Sequence, residues 1–403
     1  MNRTLLLALT LIVTSCGQGV VDSSPSPQPN EEAGGANPSS DENTGDENTN
    51  GPGESAPDPE PEPPTPVPDE PEEDENENEE GPGVPPPSAE PRLVVVGNWG
   101  FRASNDGAGG PWTVCGNPIQ SDDHTPDLLR NVAYGNGLFV AVGGDRNSMV
   151  MRSADGIHWE EDLHPGPCDD ESYPSTCNNW MGGVAFGDGV WVAGGGNGAL
   201  MRSTDRARTW TKIDGFVPGP VRQIVFGDGA FYASSDGGRV SKSTDGGLSW
   251  TESDVADVTL RLAAAHGVVM GVGRQWNGSG FDRACRLDDG SGTFVTCPSP
   301  LDSATVDELA FGNQTFVIRL TSGDLASSDD GATWSTRTPS EGVRRLVFAD
   351  GHWLGTSGGR TFSSTDLETW VDIGEAQEGR AIAFGWLLSD REELSDAVLC
   401  PAR

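Results

Sequence analysis

A short recurring pattern along residues 92–403 constrains the fold more than any other feature. It consists of a serine, any residue, an aspartate, a turn that contains glycine, and then a tryptophan, as in Ser243-Thr244-Asp245-Gly246-Gly247-Leu248-Ser249-Trp250. Seven copies, two of them degenerate, place their aspartates at Asp106, Asp155, Asp205, Asp245, Asp289, Asp329 and Asp366. The five complete copies end in a tryptophan, at Trp159, Trp210, Trp250, Trp334 and Trp370. Units of about 40 residues that recur in this way indicate a repeat architecture.

A second pattern alternates with the first and predicts β-hairpins. It is an apolar strand with an aromatic residue, a Gly/Asn/Asp turn and another apolar strand, as in residues 184–192. Asn-Gly and Asp-Gly between apolar runs favour tight turns, because both central residues need positive φ. One repeat therefore reads as four short antiparallel strands, expected in one case at residues 222–226, 231–234, 239–243 and from Trp250 onward.

Seven repeats of a four-stranded unit predict an all-β, seven-bladed β-propeller of four-stranded antiparallel blades. The first aspartate motif has no innermost strand before it, and the last innermost strand, residues 380–384, has no motif after it. We therefore expect residues 93–96, residues 101–103 and the strand after Trp112 to complete the blade that residues 380–384 begin. N- and C-terminal segments that share one blade close the ring.

The aspartate motif resembles the Asp-box (BNR) repeat, S-x-D-x-G-x-T-W, and the copies that start at Ser243 and Ser327 match it closely. The resemblance implies a structural role, in which the aspartate accepts turn N–H groups and the tryptophan packs between strands. Asp-box propellers include sialidases, whose catalytic set contains an arginine triad, a tyrosine, a glutamate and an aspartate. No catalytic residue is assigned by motif, since only Tyr134, Tyr173 and Tyr232 are available and the first two lie in the repeated hairpins.

Residues 1–16 resemble a bacterial lipoprotein signal peptide. Arg3 precedes a short apolar run, and Val13-Thr14-Ser15-Cys16 resembles a lipobox, which implies that Cys16 is lipidated. An ordinary signal peptide with a chance cysteine is the alternative. Gly17, rather than aspartate, follows Cys16, which favours the outer membrane of a Gram-negative envelope by the same resemblance.

Residues 17–91 are predicted to be a disordered tether. They hold 21 of the 62 acidic residues, 18 of the 30 prolines and no aromatic residue. Such a segment buries too little apolar surface to offset its ordering entropy. Residues 92–403 carry the remaining 41 acidic residues and 24 Lys/Arg, a net charge of −17. That charge argues against nucleic acid as a partner.

Six cysteines besides Cys16 allow fifteen disulfide pairings in an exported domain. Their places in the predicted blades favour Cys168–Cys177 across a loop, Cys285–Cys297 across the degenerate motif, and Cys115–Cys400 across the ring closure. Metal binding is the alternative, but no Cys-x₂-Cys pair or histidine cluster accompanies them. We therefore expect neither a metal nor a cofactor.

Irregular insertions lie in the connections opposite the hairpin turns, and variable loops on a rigid scaffold are the usual place for recognition. The candidate binding residues there are Tyr173, Trp180, Arg274, Trp276 and Asn277. The sequence thus predicts a monomeric, envelope-anchored lipoprotein whose propeller recognises an unknown protein or glycan without catalysis. The alternatives are an envelope assembly factor and a sialidase-type exo-glycosidase.

Overall fold

The computed structural model describes residues 89–98, 100–115, 128–144, 148–163, 180–213, 219–236, 238–254, 258–275, 282–288, 301, 306–377, 379–388 and 398–399. All of them belong to the second of the two units into which the chain divides, Glu77–Arg403. In these residues the chain forms 28 strands and one 3₁₀ turn, Gly196–Gly198, so the predicted all-β class is confirmed. None of the described segments forms a helix long and apolar enough to cross a membrane.

The first half of the domain contains strands that follow one another as meanders. They are β1 (Glu90–Val96), β2 (Arg102–Asn105), β3 (Thr113–Cys115), β4 (Leu129–Gly135), β5 (Leu138–Gly143), β6 (Met149–Ser153), β7 (His158–Leu163), β8 (Met181–Gly187), β9 (Val190–Gly195), β10 (Leu200–Ser203), β11 (Thr211–Lys212), β12 (Val221–Gly227), β13 (Ala230–Ser235), β14 (Arg239–Ser243) and β15 (Thr251–Asp254).

The second half continues in the same way. Its strands are β16 (Val258–Ala265), β17 (Val268–Gln275), β18 (Asp282–Asp288), β19 (Val306–Gly312), β20 (Thr315–Leu320), β21 (Leu325–Ser328), β22 (Ser335–Arg337), β23 (Arg344–Ala349), β24 (His352–Ser357), β25 (Arg360–Ser364), β26 (Val371–Glu375), β27 (Ala381–Leu387) and β28 (Val398–Leu399).

The prediction of seven four-stranded blades was wrong. Six sheets contain a four-stranded antiparallel meander: β27-β1-β2-β3, β4 to β7, β8 to β11, β12 to β15, β19 to β22 and β23 to β26. The β16-β17-β18 sheet has only three strands among the described residues, and β28 adds a fifth strand to β7. The three-stranded sheet is the one whose motif copy, at Asp289, lacks both the serine and the tryptophan that close the turn elsewhere. Asp289 itself lies outside the described residues.

The sheets follow one another around a closed ring, which defines a β-propeller. The innermost strand of each sheet contacts the innermost strand of the next, in the order β4, β8, β12, β16, β19, β23, β27 and back to β4. The core lies between neighbouring sheets. One cluster, for example, joins Val140 of β5 to Trp191 of β9 and Trp210, all of which are buried.

The first strand of the domain and its last innermost strand meet in one sheet. Strand β1 pairs antiparallel with β27, from Glu90 opposite Leu387 to Val96 opposite Ala381, and with β2 on its other side. Glu90 therefore lies at the end of the ring where the turn between the first two strands of each sheet is found, and Val96 lies at the opposite end. We call these ends the turn face and the mouth.

The turns on the turn face have the geometry that the sequence predicts. Both central residues have positive φ in Asn136-Gly137, Asp188-Gly189, Asp228-Gly229, His266-Gly267, Asn313-Gln314 and Asp350-Gly351. Positive φ at both positions defines the type I′ turn, which matches the twist of the flanking strands. These hairpins fix the direction of the innermost strands β4, β8, β12, β16, β19 and β23, and hence which of their residues reach the mouth. Strand β27 is placed by its antiparallel pairing with β1 instead.

Candidate functional site

The Ser-x-Asp turns on the turn face have a structural role. In the turn after β14, Asp245 accepts the backbone N–H groups of Leu248 and Ser249 at 3.0 and 2.9 Å and the hydroxyl of Ser243 at 2.8 Å. The hydroxyl of Ser243 in turn accepts the N–H of Gly247. These bonds satisfy a turn backbone that has no ladder partner. Asp155, Asp205 and Asp366 make equivalent bonds.

The same bonds keep these carboxylates ionised. The hydroxyl and N–H of Ser249 lower the pKa of Asp245 to about 2. The N–H groups of Thr369 and Glu368 lower the pKa of Asp366 to about 2. A hydrogen bond donated to the charged form of a carboxyl group stabilises that form. Such a carboxylate cannot donate a proton near neutral pH, so these aspartates are not candidates for acid catalysis.

In the fourth complete motif the structure corrects the predicted aspartate. The residue that closes this turn is Asp330, which accepts the N–H groups of Ala332 and Thr333 at 2.8 and 2.7 Å and the hydroxyl of Ser328. Asp329, the predicted residue, is exposed and accepts the hydroxyl of Thr315 at 2.7 Å. Asp329 is therefore not needed for the turn.

The first, degenerate copy uses a different arrangement. Asp106 accepts the N–H groups of Ala108 and Gly110, while Asn105 accepts that of Gly107. The indole N–H of Trp112 donates to the carbonyl of Glu375 in the neighbouring sheet and not to a carbonyl of its own turn.

The predicted tryptophans pack into the seams between sheets. The indole N–H groups of Trp159, Trp250, Trp334 and Trp370 each donate to a carbonyl three residues earlier in the turn. The indole nitrogen of Trp210 is buried without a hydrogen-bond partner among the described residues.

Of the predicted disulfide residues, only Cys115 is described with its side chain. It lies fully buried at the end of β3 and is disulfide-bonded. Cys16, Cys168, Cys177, Cys297 and Cys400 lie outside the described residues, as does the side chain of Cys285 on β18. The pairing and the lipidation of Cys16 remain predictions.

Among the predicted binding residues, the structure describes Trp180 and the backbone of Arg274 on β17. Tyr173, Trp276 and Asn277 lie outside the described residues. Two guanidinium groups lie over the indole of Trp180, with Arg130 at 4.7 Å and Arg222 at 4.8 Å from the ring centroid. These cation–π contacts connect the beginnings of β4, β8 and β12: Trp180 directly precedes β8, and Arg130 and Arg222 are the second residues of β4 and β12.

Sequence reasoning missed a set of arginines at the mouth. Arg130, Arg222 and Arg344 each lie six residues before the type I′ turn of their sheet, and Arg261 and Arg345 lie five residues before theirs. Arg380 directly precedes β27. We call these six residues the arginine collar. Arginine five or six residues ahead of the hairpin turn was the signal that could have revealed it.

Bulges occur at the level of the arginine collar. The pairing of β4 with β5 shifts by one residue between Leu129 and Asn131, and that of β12 with β13 shifts between Val221 and Gln223. The extra residues are Arg130 and Arg222. In β23 the shift falls between Arg344 and Val347, and Arg345 there has a φ of +53°. A bulge changes the direction of a side chain relative to the regular alternation between the two faces of a sheet. The inner strands are therefore irregular at their mouth end.

The residues that follow the bulges tie adjacent inner strands together. Gln223 bonds both the N–H and the carbonyl of Leu262, and Glu308 accepts the N–H groups of Arg345 and Leu346 at 2.7 and 2.8 Å. A rigid base of this kind holds the collar side chains in place.

The collar arginines differ in how far they are already paired. Arg222 donates to both carboxylate oxygens of Asp236 at 2.6 Å. Arg345 donates to the carbonyl of Arg380, whose own guanidinium donates to Asn98. Arg261 is exposed and Arg344 half-buried, and neither side chain has a hydrogen-bond or ion-pair partner in the part of the chain that the structure describes. Those two guanidinium groups are open to a ligand.

Neither described tyrosine belongs to the mouth. The hydroxyl of Tyr134 donates to the carbonyl of Trp386 near the turn face, and Tyr232 is buried beneath Lys242. Both pack hairpins. Within the described ranges no group of three or more His, Cys, Asp or Glu side chains could hold a metal ion.

Comparison with known proteins gives similarity only at the level of solved structures. No family model matches the chain, and no curated protein matches it. A structure of YCF48 bound to D1 peptide matches with a TM-score of 0.46 and 19% identity, over 62% of this chain and 83% of that one. The WD40 propeller domain of Doa1 matches with a TM-score of 0.43 and 11% identity, over 61% and 81%. BamB from Moraxella catarrhalis matches with a TM-score of 0.38 and 15% identity, over 59% and 70%. The class of protein, a β-propeller, rests on the strand topology of this chain.

Proposed function

We propose that this protein is a noncatalytic scaffold module whose arginine collar binds an acidic segment of a partner protein. The observation that supports this is the position of the arginines. Six of the 24 Lys/Arg of residues 92–403 lie at one end of the inner strands, in a domain whose net charge is −17. A local concentration of positive charge in an acidic domain selects an anionic ligand against the overall field.

Guanidinium chemistry favours carboxylates at this site. Arginine presents planar donors that match a carboxylate in a two-bond arrangement, and it is weakly hydrated. Arg222 already makes such an arrangement with Asp236. The guanidinium groups of Arg261 and Arg344 have no partner among the described residues and can each bind a carboxylate of a ligand. Charges at the rim of an interface mainly raise the association rate and select the partner, which suits a scaffold.

The proposal extends to the rest of the chain. The Ser-x-Asp turns support assignment of the propeller to the Asp-box type, since their carboxylates bond the turn as that motif requires.

Residues 1–16 support export and lipid anchoring at Cys16, with the outer membrane favoured. In cells, Cys16→Ser should move the protein from the membrane fraction to the soluble fraction.

The collar is tested with a fluorescent oligoglutamate peptide and fluorescence anisotropy. Compared with the intact protein, Arg261→Glu/Arg344→Glu should bind about tenfold more weakly, a loss of about 1.4 kcal/mol. Lys212→Glu/Arg360→Glu changes the net charge equally at exposed sites outside the collar and should bind as the intact protein does. Equal affinity of both variants would overturn the proposal.

A sialidase-type exo-glycosidase is the second candidate, because six arginines lie at the mouth end of the inner strands. It needs a tyrosine nucleophile, and Tyr173 is the one tyrosine that is not placed in a hairpin by the described structure. Release of 4-methylumbelliferone from its sialic acid conjugate, abolished by Tyr173→Phe, would favour that reading over the scaffold.

A further inference from the structure

A groove on the turn face belongs neither to the collar nor to the mouth. It has a volume of ≈ 640 Å³ and lies between the β19 to β22 sheet and the β23 to β26 sheet, bounded by their two Ser-x-Asp turns. This volume is within the range of small-molecule sites. Its floor contains the buried side chains of Trp353 and Leu367.

One carboxylate in the groove has no structural task in the turn beside it. Asp329 stands where the other complete motifs have Ala154, Thr204, Thr244 and Thr365, and Asp330 closes the turn. The hydroxyl of Thr315 fixes one oxygen of Asp329 at 2.7 Å. No bond to the second oxygen, Oδ2, occurs within the described ranges.

Donors line both sides of the same groove. Arg337 on β22 donates to the hydroxyl of Ser327 and pairs with Glu368 of the neighbouring sheet at 3.3 Å. The ion pair neutralises Glu368, and the turn N–H groups occupy Asp330 and Asp366. The hydroxyls of Ser335 and Thr365 are exposed, and the described residues hold no partner for them.

We propose that this groove binds a neutral saccharide. A sugar hydroxyl both donates and accepts, so vicinal hydroxyls fit an arrangement of a free carboxylate oxygen, two hydroxyls and a guanidinium edge. The carboxylates that surround the groove repel anionic sugars. The absence of a free aromatic face restricts recognition to hydrogen bonds, since Trp353 is only 2% exposed.

The groove is tested with the full chain on an array of neutral and acidic glycans, followed by calorimetry with the best neutral glycan and with its terminal monosaccharide. Binding to neutral glycans should fall about tenfold in Asp329→Asn and in Thr365→Val. Asp188→Asn, which makes the same charge change in a type I′ turn elsewhere on the turn face, should bind as the unchanged protein does. Binding by the monosaccharide would identify a free sugar as sufficient, and binding by the glycan alone would require a longer chain; both support the groove.

Three results would overturn the proposal: no binding to neutral glycans, binding to acidic glycans alone, or binding by Asp329→Asn and Thr365→Val that is as tight as that of the unchanged protein. Both replaced side chains are exposed and neither closes the turn, so both variants should melt at the temperature of the unchanged protein. The collar variants Arg261→Glu/Arg344→Glu should keep full glycan binding, which separates this site from the proposed function.

Discussion

At the scale of single residues, the motif does not separate the aspartates that build turns from the one that is chemically available: Asp330 closes its turn, while the predicted Asp329 does not. Asp245 has its oxygens engaged by Ser243, Leu248 and Ser249. Asp329 keeps an oxygen open to solvent. A carboxylate that is fully engaged serves stability, whereas one with an open oxygen can meet a ligand.

Acid should destabilise the propeller only at low pH. Asp245 and Asp366 have a pKa of about 2 when folded, against 3.8 in the unfolded chain. A lowered folded pKa contributes stability that is present above pH 3.8 and is lost as the pH falls towards 2. The melting temperature should therefore change little from pH 7 to about 4 and fall between about 4 and 2.

NMR titration of the carboxyl carbons tests whether the hydrogen bond from Ser249 is what lowers the pKa of Asp245. Ser249→Ala removes the largest contribution and should raise the pKa of Asp245 towards 3.8, while Asp366 in the same protein stays at about 2. An unchanged Asp245 midpoint would show that the hydroxyl of Ser249 does not set it.

At the scale of elements, four of the inner strands pack a glycine against an aromatic side chain of the next inner strand. A Cβ on Gly187 would lie 2.1 Å from ring carbons of Phe226 in the next sheet, and a Cβ on Gly312 would lie 2.0 Å from Phe348. The ring-closing contact repeats the arrangement, with Gly385 against the ring of Tyr134. The aromatic residue of one hairpin thus sits where the glycine of the preceding hairpin leaves room.

Gly187→Ala should destabilise the domain by about 1–3 kcal/mol, because the added methyl group forces the packed Phe226 ring to move. Urea denaturation followed by tryptophan fluorescence measures the change. Gly342→Ala is the matched control, since no atom lies within 4 Å of its Cβ and its φ is ordinary. A similar free energy of unfolding for the two variants would mean that the contact between Gly187 and Phe226 is not tightly packed.

At the scale of the whole molecule, stability depends on the sheet that joins the two ends of the domain. Val94 of β1 is fully buried and packs in the cluster that also holds Met151, Trp159 and Ala383. This cluster spans the sheet of β27 and β1 and the sheet of β4 to β7. The ring is therefore closed both by backbone pairing and by apolar packing.

Val94→Asp should prevent stable folding, because it places an unpaired charge in this seam at a cost of several kcal/mol. Val371→Asp should fold normally, since Val371 is 60% exposed on the outer strand β26. Circular dichroism and thermal melting of both proteins check the pair. A Val94→Asp protein that melts like Val371→Asp would contradict the closure described here.

The repeat predicted most of the fold but not the site. Asn136-Gly137 and Asp228-Gly229 carry their turn type in their residue types, because few other pairs adopt positive φ twice. Asp330 was not predictable, because the spacing from aspartate to tryptophan is four residues at Asp155 and five at Asp245, and both Asp329 and Asp330 satisfy one of these. The collar was missed since its arginines come from repeats far apart in sequence and share one end of the domain only in the closed ring.

The entry of the chain at Glu90 has a mechanical consequence. Tension that reaches the propeller from the preceding chain acts along β1, which is held by seven residue pairs to β27 and four to β2. A pull along a strand loads both ladders in shear, so many hydrogen bonds must break together rather than one after another. The strand that closes the ring is thus also the one that bears the load, and it bears it from the side opposite the collar.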